Sequence, residues 1–298
     1  MAIGIDPTVD FAFKKLLGSP EHPAVTLHFL NAILGGDPLI TEVDVLNPFL
    51  EKDFEGDKLS ILDILARDER GQLFNIEMQT ALSTELPERL AFYASSLFVG
   101  QIGQGDSYHE LCPAIGICVL NDVMIAHTPE IHHDFRLRCG EALLTNHLQI
   151  HLLELPKYAL PSDNKKITEP IEEWMFFFRQ VENLTADEVA KRLDDPTFVE
   201  AVGVLEMIAR SPEERDLYEA RLKMQRDEEA RLRYAKNQGL EEGREEGIRR
   251  GNLAGRIQLL QELLGESVTE MAVLETQDIA ELTAAVAVLQ RRLRDRDA

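Results

Sequence analysis

The chain has 298 residues, a formal net charge of −22 and an apolar content of 44%. This length allows one sizeable domain and a second unit, and the apolar content excludes general disorder. The excess of acidic residues does not favour nucleic-acid binding, although bound cations or a local basic strip can reverse the field at one site.

The N-terminal and apolar segments indicate the compartment. No apolar run reaches the length of about 18 residues that a membrane-spanning helix needs. Asp6 and Asp10 lie where a secretory signal peptide carries positive charge and an apolar core. We therefore expect a cytoplasmic protein with no membrane partner.

The first part of the chain predicts two helices and a strand. The segment VDFAFKKLLG has helical spacing and ends at Gly18, and Pro23–Leu34 (PAVTLHFLNAIL) ends at a Gly-Gly pair. Residues 40–50 (ITEVDVLNPFL) carry branched apolar side chains typical of a strand that ends before Pro48.

Residues 61–79 (ILDILARDERGQLFNIEMQ) predict two apolar strands joined by a tight turn, with one acid inside each strand. Asp63 lies among isoleucines and leucines, and Glu77 lies between Ile76 and Met78. An unpaired charge is costly to bury, so two such acids close together suggest a metal site. The alternative is a pair of strand residues at a solvent-facing edge of a sheet.

The turn determines which residues of the two strands face each other. Gly71 suits the left-handed position of a three-residue loop made of residues 69–71. With that loop, the numbers of facing residues sum to 140, which pairs Asp63 with Glu77. Side chains alternate along a strand, so Gln79 lies on the same face as Glu77.

Beyond this hairpin, the pattern predicts a helix after Pro87 and then three strands, at residues 113–122, in HHDFRLRCG and at residues 148–156. This order is typical of an α/β or α+β domain, which we assign to residues 1–160. Residues 161–298 predict a helical C-terminal region.

Five glycines recur every four residues in GLEEGREEGIRRGNLAG, within a long helix rich in Glu and Arg. Each glycine weakens a helix by roughly 1 kcal/mol relative to alanine, and a row at this period lies near one face. The row either lets another backbone approach closely or belongs to a flexible, charged connector. The last residues predict amphipathic helices suited to packing together or to self-association into a homo-oligomer.

Several segments, in this order, resemble the Rpn family of recombination-promoting nucleases, also described as transposases of the PD-(D/E)XK nuclease superfamily. They are DFAFKKLLG, FLNAIL, VDVLNPFL, DKLSILDILARDERGQLFNIEMQ, RLAFYASSLFVGQIGQGDSY and PAIGICVL, and they cover residues 6–160. EEGREEGIRRG also resembles the family's C-terminal region. The resemblance implies a restriction-endonuclease-like α/β fold, which is a mixed sheet flanked by helices, with a helical C-terminal extension.

The resemblance also implies which residues carry the chemistry. Asp63 takes the place of the PD-type aspartate, Glu77 that of the second acid, and Gln79 that of the usual lysine. Asp63, Glu77 and the backbone carbonyl of Met78 are the expected ligands of Mg²⁺ or Mn²⁺, which prefer oxygen donors. Asp10 on the first helix is a further candidate acid, and the alternative for it is a favourable contact with the helix dipole.

Two positions depart from the family's pattern. Leu62 stands where a proline usually precedes the aspartate, and neutral Gln79 replaces a positively charged lysine. Gln79 can still orient an attacking water through its amide. Four basic residues are candidate phosphate contacts, with a solvated surface charge as the alternative for each: Lys14, Lys15, Lys58 and Arg89.

Together, these observations predict a Mg²⁺-dependent DNA endonuclease that acts in recombination, mobile-element biology or defence. The alternative is a nuclease-fold binding or regulatory protein with weak or no catalysis, which acts through its helical tail. The acidity of the first half of the chain and the neutral Gln79 favour this alternative.

Overall fold

The computed structural model describes residues 1–36, 39–46, 64–161 and 165–296. The helices in these ranges are α1 (Asp10–Leu17), α2 (Pro23–Leu34), α3 (Leu86–Val99), α4 (Pro170–Gln180), α5 (Ala186–Arg192), α6 (Pro196–Arg210), α7 (Pro212–Leu264), α8 (Met271–Glu275) and α9 (Ile279–Arg296). The strands are β1 (Val43–Val45), β2 (Ile64–Asp68), β3 (Leu73–Gln79), β4 (Ala114–Leu120), β5 (His132–Cys139) and β6 (Ala142–Glu154).

The first two helices begin and end where local signals predict. At the end of α1, the N–H of Gly18 donates to the carbonyl of Lys14. Helix α2 has Pro23 in its first turn and ends at Gly35, which adopts a left-handed conformation with φ of 56°. Proline is favourable in the first turn because the N–H that it lacks would have no helical partner there. Glycine is favourable just past the end because it adopts the left-handed conformation without a Cβ clash.

The described strands form one mixed sheet in the order β1-β2-β3-β4-β6-β5. The pairs β1–β2, β2–β3 and β5–β6 are antiparallel, whereas β3–β4 and β4–β6 are parallel. Every residue of β4 is buried, which explains its continuous apolar sequence, AIGICVL. The mixed sheet with flanking helices confirms the predicted α/β class.

Strand β6 is longer than the sequence predicts. The predicted segment at residues 148–156 corresponds to the part of β6 that pairs with β4, from Leu148 to Glu154. The preceding residues are mostly exposed and extend β6 as a hairpin with β5. These residues form a strand because they pair with β5 and not because one face is buried, so an apolar sequence pattern could not identify them.

The two faces of the sheet pack against different helices. The face that we name the core face presents Ile76 and Met78 and forms one large cluster with α1, α2, α4 and α6. The opposite face, which we name the α3 face, presents Cys118 and Leu152 and packs against Leu90 of α3. Alternation along β3 therefore sends successive side chains to two different environments.

The chain divides into two compact units, Met1–Asp227 and Glu228–Ala298. The boundary expected near residue 160 follows the last strand, but helices α4, α5 and α6 contribute to the core cluster of the first unit. Trp174 of α4, for example, is fully buried there. In the second unit, the C-terminal part of α7 packs with α8 and α9 through an apolar cluster that includes Leu282.

Helix α7 continues through all five regularly spaced glycines. Apart from neighbouring residues and nearby backbone of the helix itself, a Cβ atom added at any of them meets no atom of the described residues within 4 Å. Within the part of the chain that is described, the glycine row is therefore not a site of close backbone approach. In the same part of the chain, no helix is both long and apolar enough to cross a membrane.

Candidate functional site

Strands β2 and β3 form the predicted hairpin in the predicted register. Ile64 pairs with Ile76 and Arg67 pairs with Leu73, so the numbers of facing residues sum to 140. This confirms the predicted register over the described pairs. Asp63 immediately precedes β2 and lies outside the described residues, so its pairing with Glu77 stays a prediction.

The turn consists of the predicted loop, residues 69–71, and Gly71 has a φ of 82°. Asp68 stabilises this loop because its Oδ1 accepts the backbone N–H groups of Arg70 at 3.0 Å and Gln72 at 2.8 Å. Its Oδ2 accepts from the side-chain amide of Gln72 at 2.5 Å. The role of Asp68 is structural, since both of its oxygens bind groups of the turn.

The same turn is attached to the chain that precedes β1. Glu69 accepts the backbone N–H groups of Thr41 and Glu42, each at 3.3 Å, and Arg70 donates to the carbonyl of Leu39 at 2.8 Å. Loss of solvation acts to raise the pKa of Glu69, but hydrogen bonds from backbone amides and from Arg70 outweigh it and lower this pKa to about 2. These contacts fix the conformation of the three-residue loop and so stabilise the register of β2 with β3.

Glu77 is a buried carboxylate inside β3, with 3% of its surface exposed. It pairs with Cys118 of β4, and Gln79 pairs with Leu120. Both β4 residues pack on the α3 face, so Glu77 and Gln79 lie on that face. The prediction that these two side chains share a face is thereby confirmed. Gln79 is half-buried at the end of β3, where its carbonyl accepts the N–H of Asn121 at 2.8 Å.

Sequence reasoning missed two further polar residues on the α3 face. Asn75 is 1% exposed and precedes Glu77 by two residues, and no donor among the described residues reaches its Oδ1. The sequence does indicate the position of Asn75, because polar and apolar residues alternate in FNIEMQ and this alternation places Asn75 on the same face as Glu77. Glu154 is fully buried at the end of β6, and no local pattern indicated its environment.

Helix α1 carries three of the candidate residues. Lys14 forms an ion pair with Asp10 at 2.7 Å, and Lys15 forms one with Glu214 of α7 at 2.8 Å. The buried side chains of α1 belong to the core-face cluster, whereas Glu77 points to the α3 face. The roles of Asp10 as a further acid and of both lysines as phosphate contacts therefore stay predictions.

The remaining two basic candidates lie elsewhere. Arg89 is on α3, on the same side of the sheet as Glu77, and its Nε lies 3.3 Å from the hydroxyl of Tyr93. Its guanidinium also lies 5.7 Å from the centroid of the Tyr93 ring. Lys58 lies outside the described residues.

The donor chemistry of the hairpin fits a hard divalent cation. Glu77 offers carboxylate oxygens and Met78 a carbonyl, the oxygen donors that Mg²⁺ and Mn²⁺ prefer. Among the described residues, no group of three or more His, Cys, Asp or Glu side chains is arranged to hold a metal ion. Asp63, the second carboxylate expected at this site, lies outside the described residues.

A comparison with protein-family models matches residues 7–235 to the PD-(D/E)XK nuclease family transposases. No curated protein and no solved structure matches the chain. The mixed sheet and its flanking helices are consistent with the restriction-endonuclease-like fold of this superfamily, whose nucleases generally use divalent metals. Since the match covers well over half of its length, the chain belongs to the PD-(D/E)XK nuclease family transposases.

Proposed function

We propose that this protein is a metal-dependent endonuclease that hydrolyses phosphodiester bonds in DNA, with the β2–β3 hairpin as its active site. The observation that carries the proposal is the buried Glu77 carboxylate in β3. If the register of the described pairs continues by one residue, Asp63 faces this carboxylate. Membership of a nuclease family supports the same chemistry.

Each residue of the hairpin has a defined task in this proposal. Asp63 and Glu77 would supply carboxylate oxygens to Mg²⁺ or Mn²⁺, and Met78 would supply its backbone carbonyl. When bound, such a cation would lower the pKa of a water molecule and offset charge on the phosphate. Gln79 orients that water through its side-chain amide.

Positive charge near the phosphate has to come from other residues, because Gln79 is neutral. Arg89 is the best placed of the candidates among the described residues, since α3 packs on the face that carries Glu77. Lys14, Lys15 and Lys58 are further proposed DNA contacts. Within this proposal, cleavage takes place in the cytoplasm and serves recombination, mobile-element biology or defence.

The direct test is nicking of supercoiled plasmid DNA in Mg²⁺ by the parent protein and by Asp63→Ala and Glu77→Gln. We expect both variants to lose cleavage by at least about 100-fold, because each removes a ligand of the cation. Glu88→Gln is the matched control, since Glu88 is exposed in the first turn of α3. Equal cleavage by Asp63→Ala and the parent would show that the assigned site is wrong.

The neutral Gln79 also supports a second candidate function, a binding or regulatory protein on a nuclease fold with little catalysis. Calorimetric titration with Mn²⁺ separates the two, using the parent and Glu77→Gln. Cation binding that depends on Glu77, together with cleavage, supports the nuclease. Binding without cleavage, or no binding at all, supports the alternative.

A further inference from the structure

Glu154 is a second buried acid on the α3 face, in the same row of the sheet as Gln79. In this row, Gln79 pairs with Leu120 and Leu120 pairs with Glu154. No surface of Glu154 is exposed. A carboxylate in this position has to be matched by donors, because an uncompensated buried charge strongly opposes folding.

Both oxygens of Glu154 bind donors of the protein. Its Oε1 accepts the backbone N–H groups of Met124 and Ile125, the second at 2.9 Å. Its Oε2 lies 2.5 Å from the Lys157 ammonium and 3.0 Å from Nε2 of His133. Lys157 also donates to the carbonyl of Ile125 at 2.7 Å.

These contacts assign Glu154 a different task from that of Glu77. Burial acts to raise the pKa of Glu154, but the hydrogen bonds from Lys157 and from the two backbone amides outweigh it and lower the pKa. Glu154 is therefore an ionised acceptor. Its donors come from three separate segments of the chain, so it joins those segments together.

The residues that follow β4 are held at both ends. We name residues 121–125 the rim segment. At its start, Asn121 donates to the carbonyl of Gln79 at 2.8 Å, and Asp122 Oδ2 accepts the N–H of Leu82 at 3.3 Å. At its end, Met124 and Ile125 bind Glu154 and pack against the apolar cluster beneath α3.

We propose that Glu154 is a positioning residue: with Lys157 and His133 it fixes the rim segment, and the rim segment in turn fixes the end of β3 that carries Gln79. The effect on catalysis rests on the proposed nuclease function, whereas the effect on the end of β3 does not. Because Glu154 is fully buried and both of its oxygens bind protein donors, this role requires no contact of Glu154 with DNA or with the reacting water.

The first test measures hydrogen exchange by mass spectrometry on the full chain, which requires no activity. We expect Glu154→Gln to increase exchange in residues 121–125 and also in residues 79–82, by about 10-fold or more. Glu141→Gln is the matched control, because Glu141 is exposed in the turn between β5 and β6. Faster exchange in the rim segment alone, or in neither region, overturns the proposal.

Loss of a buried charge could also prevent Glu154→Gln from folding. Asp122→Ala covers that case, because Asp122 is exposed and its loss removes the contact with Leu82. We expect faster exchange in residues 79–82 for this variant as well. Unchanged exchange there contradicts the proposed link between the rim segment and β3.

The second test is a double-mutant cycle on plasmid cleavage. We expect Glu154→Gln to lower the cleavage rate of the parent by about 10- to 100-fold through misplacement of Gln79. In a Gln79→Ala background, the same change should have little further effect, whereas a purely structural loss would lower both rates equally. If the parent shows no cleavage, the proposed function fails, and the exchange result still decides the positioning role.

Discussion

Strand β3 presents Phe74, Ile76 and Met78 to the core face, and Asn75, Glu77 and Gln79 to the α3 face. The first set is apolar and packs in a cluster shared with helices α1, α2, α4 and α6. The second set is polar, and two of its members, Asn75 and Glu77, are almost fully buried.

This difference separates stability from chemistry within one strand. Burial of Ile76 and its neighbours on the core face favours folding through the hydrophobic effect. Burial of an amide and a carboxylate on the other face opposes folding unless each is compensated. Polar residues placed in a buried row at a cost to stability are expected at a functional site.

The largest stability effect that this comparison predicts is on the core face. Ile76 is fully buried in the large cluster, so Ile76→Ala should lower the free energy of unfolding by about 2–5 kcal/mol through lost burial and a cavity. Urea denaturation followed by circular dichroism measures this change.

The matched variant on the opposite face is Asn75→Leu. Replacing a buried amide by an apolar side chain of similar size should change the free energy of unfolding by no more than about 1 kcal/mol. If Asn75→Leu destabilises the protein as much as Ile76→Ala does, the polar row is part of the structural core and the comparison fails.

A second prediction concerns the turn that keeps the two faces in register. Gly71 has a φ of +82°, and a Cβ there would lie 3.0 Å from Sγ of Cys112. Gly71→Ala should therefore lower the free energy of unfolding by about 2 kcal/mol, because a left-handed backbone with a Cβ is strained and the contact with sulfur is close. Thermal unfolding measures the loss.

The double variant Gly71→Ala/Cys112→Ala separates the two causes. Removing the sulfur relieves the close contact but leaves the backbone strain, so we expect partial recovery of stability. Full stability of the single variant would mean that the turn does not depend on glycine, and the register would then need another explanation.

The features predicted correctly from sequence are those that depend on residues close together in the chain. The Gly71 turn, the register of β2 with β3 and the ends of α2 all follow from local signals within a few residues. The alternation in FNIEMQ placed Glu77 and Gln79 on one face for the same reason. Such signals act through the backbone conformation, which needs no knowledge of distant partners.

Other features depend on residues far apart in sequence. Glu154 receives donors from residues 124, 125 and 133, and only the strand order brings these residues to it. The helices after residue 160 join the core of the first unit because Trp174 packs against Phe29 and Phe198. The change in composition near residue 160, on which the expected domain boundary rests, gives no information about that packing.

The smallest predicted effect on the free energy of unfolding comes from an ionisable group on the core side of the sheet. Glu173 of α4 is 7% exposed, and burial together with the nearby charges of Asp195 and Asp194 raises its pKa to about 7. A raised pKa means that the folded state binds the proton more tightly than the unfolded state does. Glu173 therefore stabilises the fold at low pH, and this contribution is lost as the pH rises from about 4.5 through about 7.

Glu173→Gln should consequently raise the free energy of unfolding at pH 8 by about 1 kcal/mol, with little change at pH 5. Urea denaturation at several pH values measures the difference between parent and variant, which removes the contribution of other titrating groups. Glu172→Gln is the matched control, because the neighbouring Glu172 is exposed.

If Glu173→Gln instead destabilises the protein equally at both pH values, Glu173 serves as a structural acceptor. Buried polar groups with structural roles would then occur on both sides of the sheet, and burial alone would not distinguish the α3 face as the functional one.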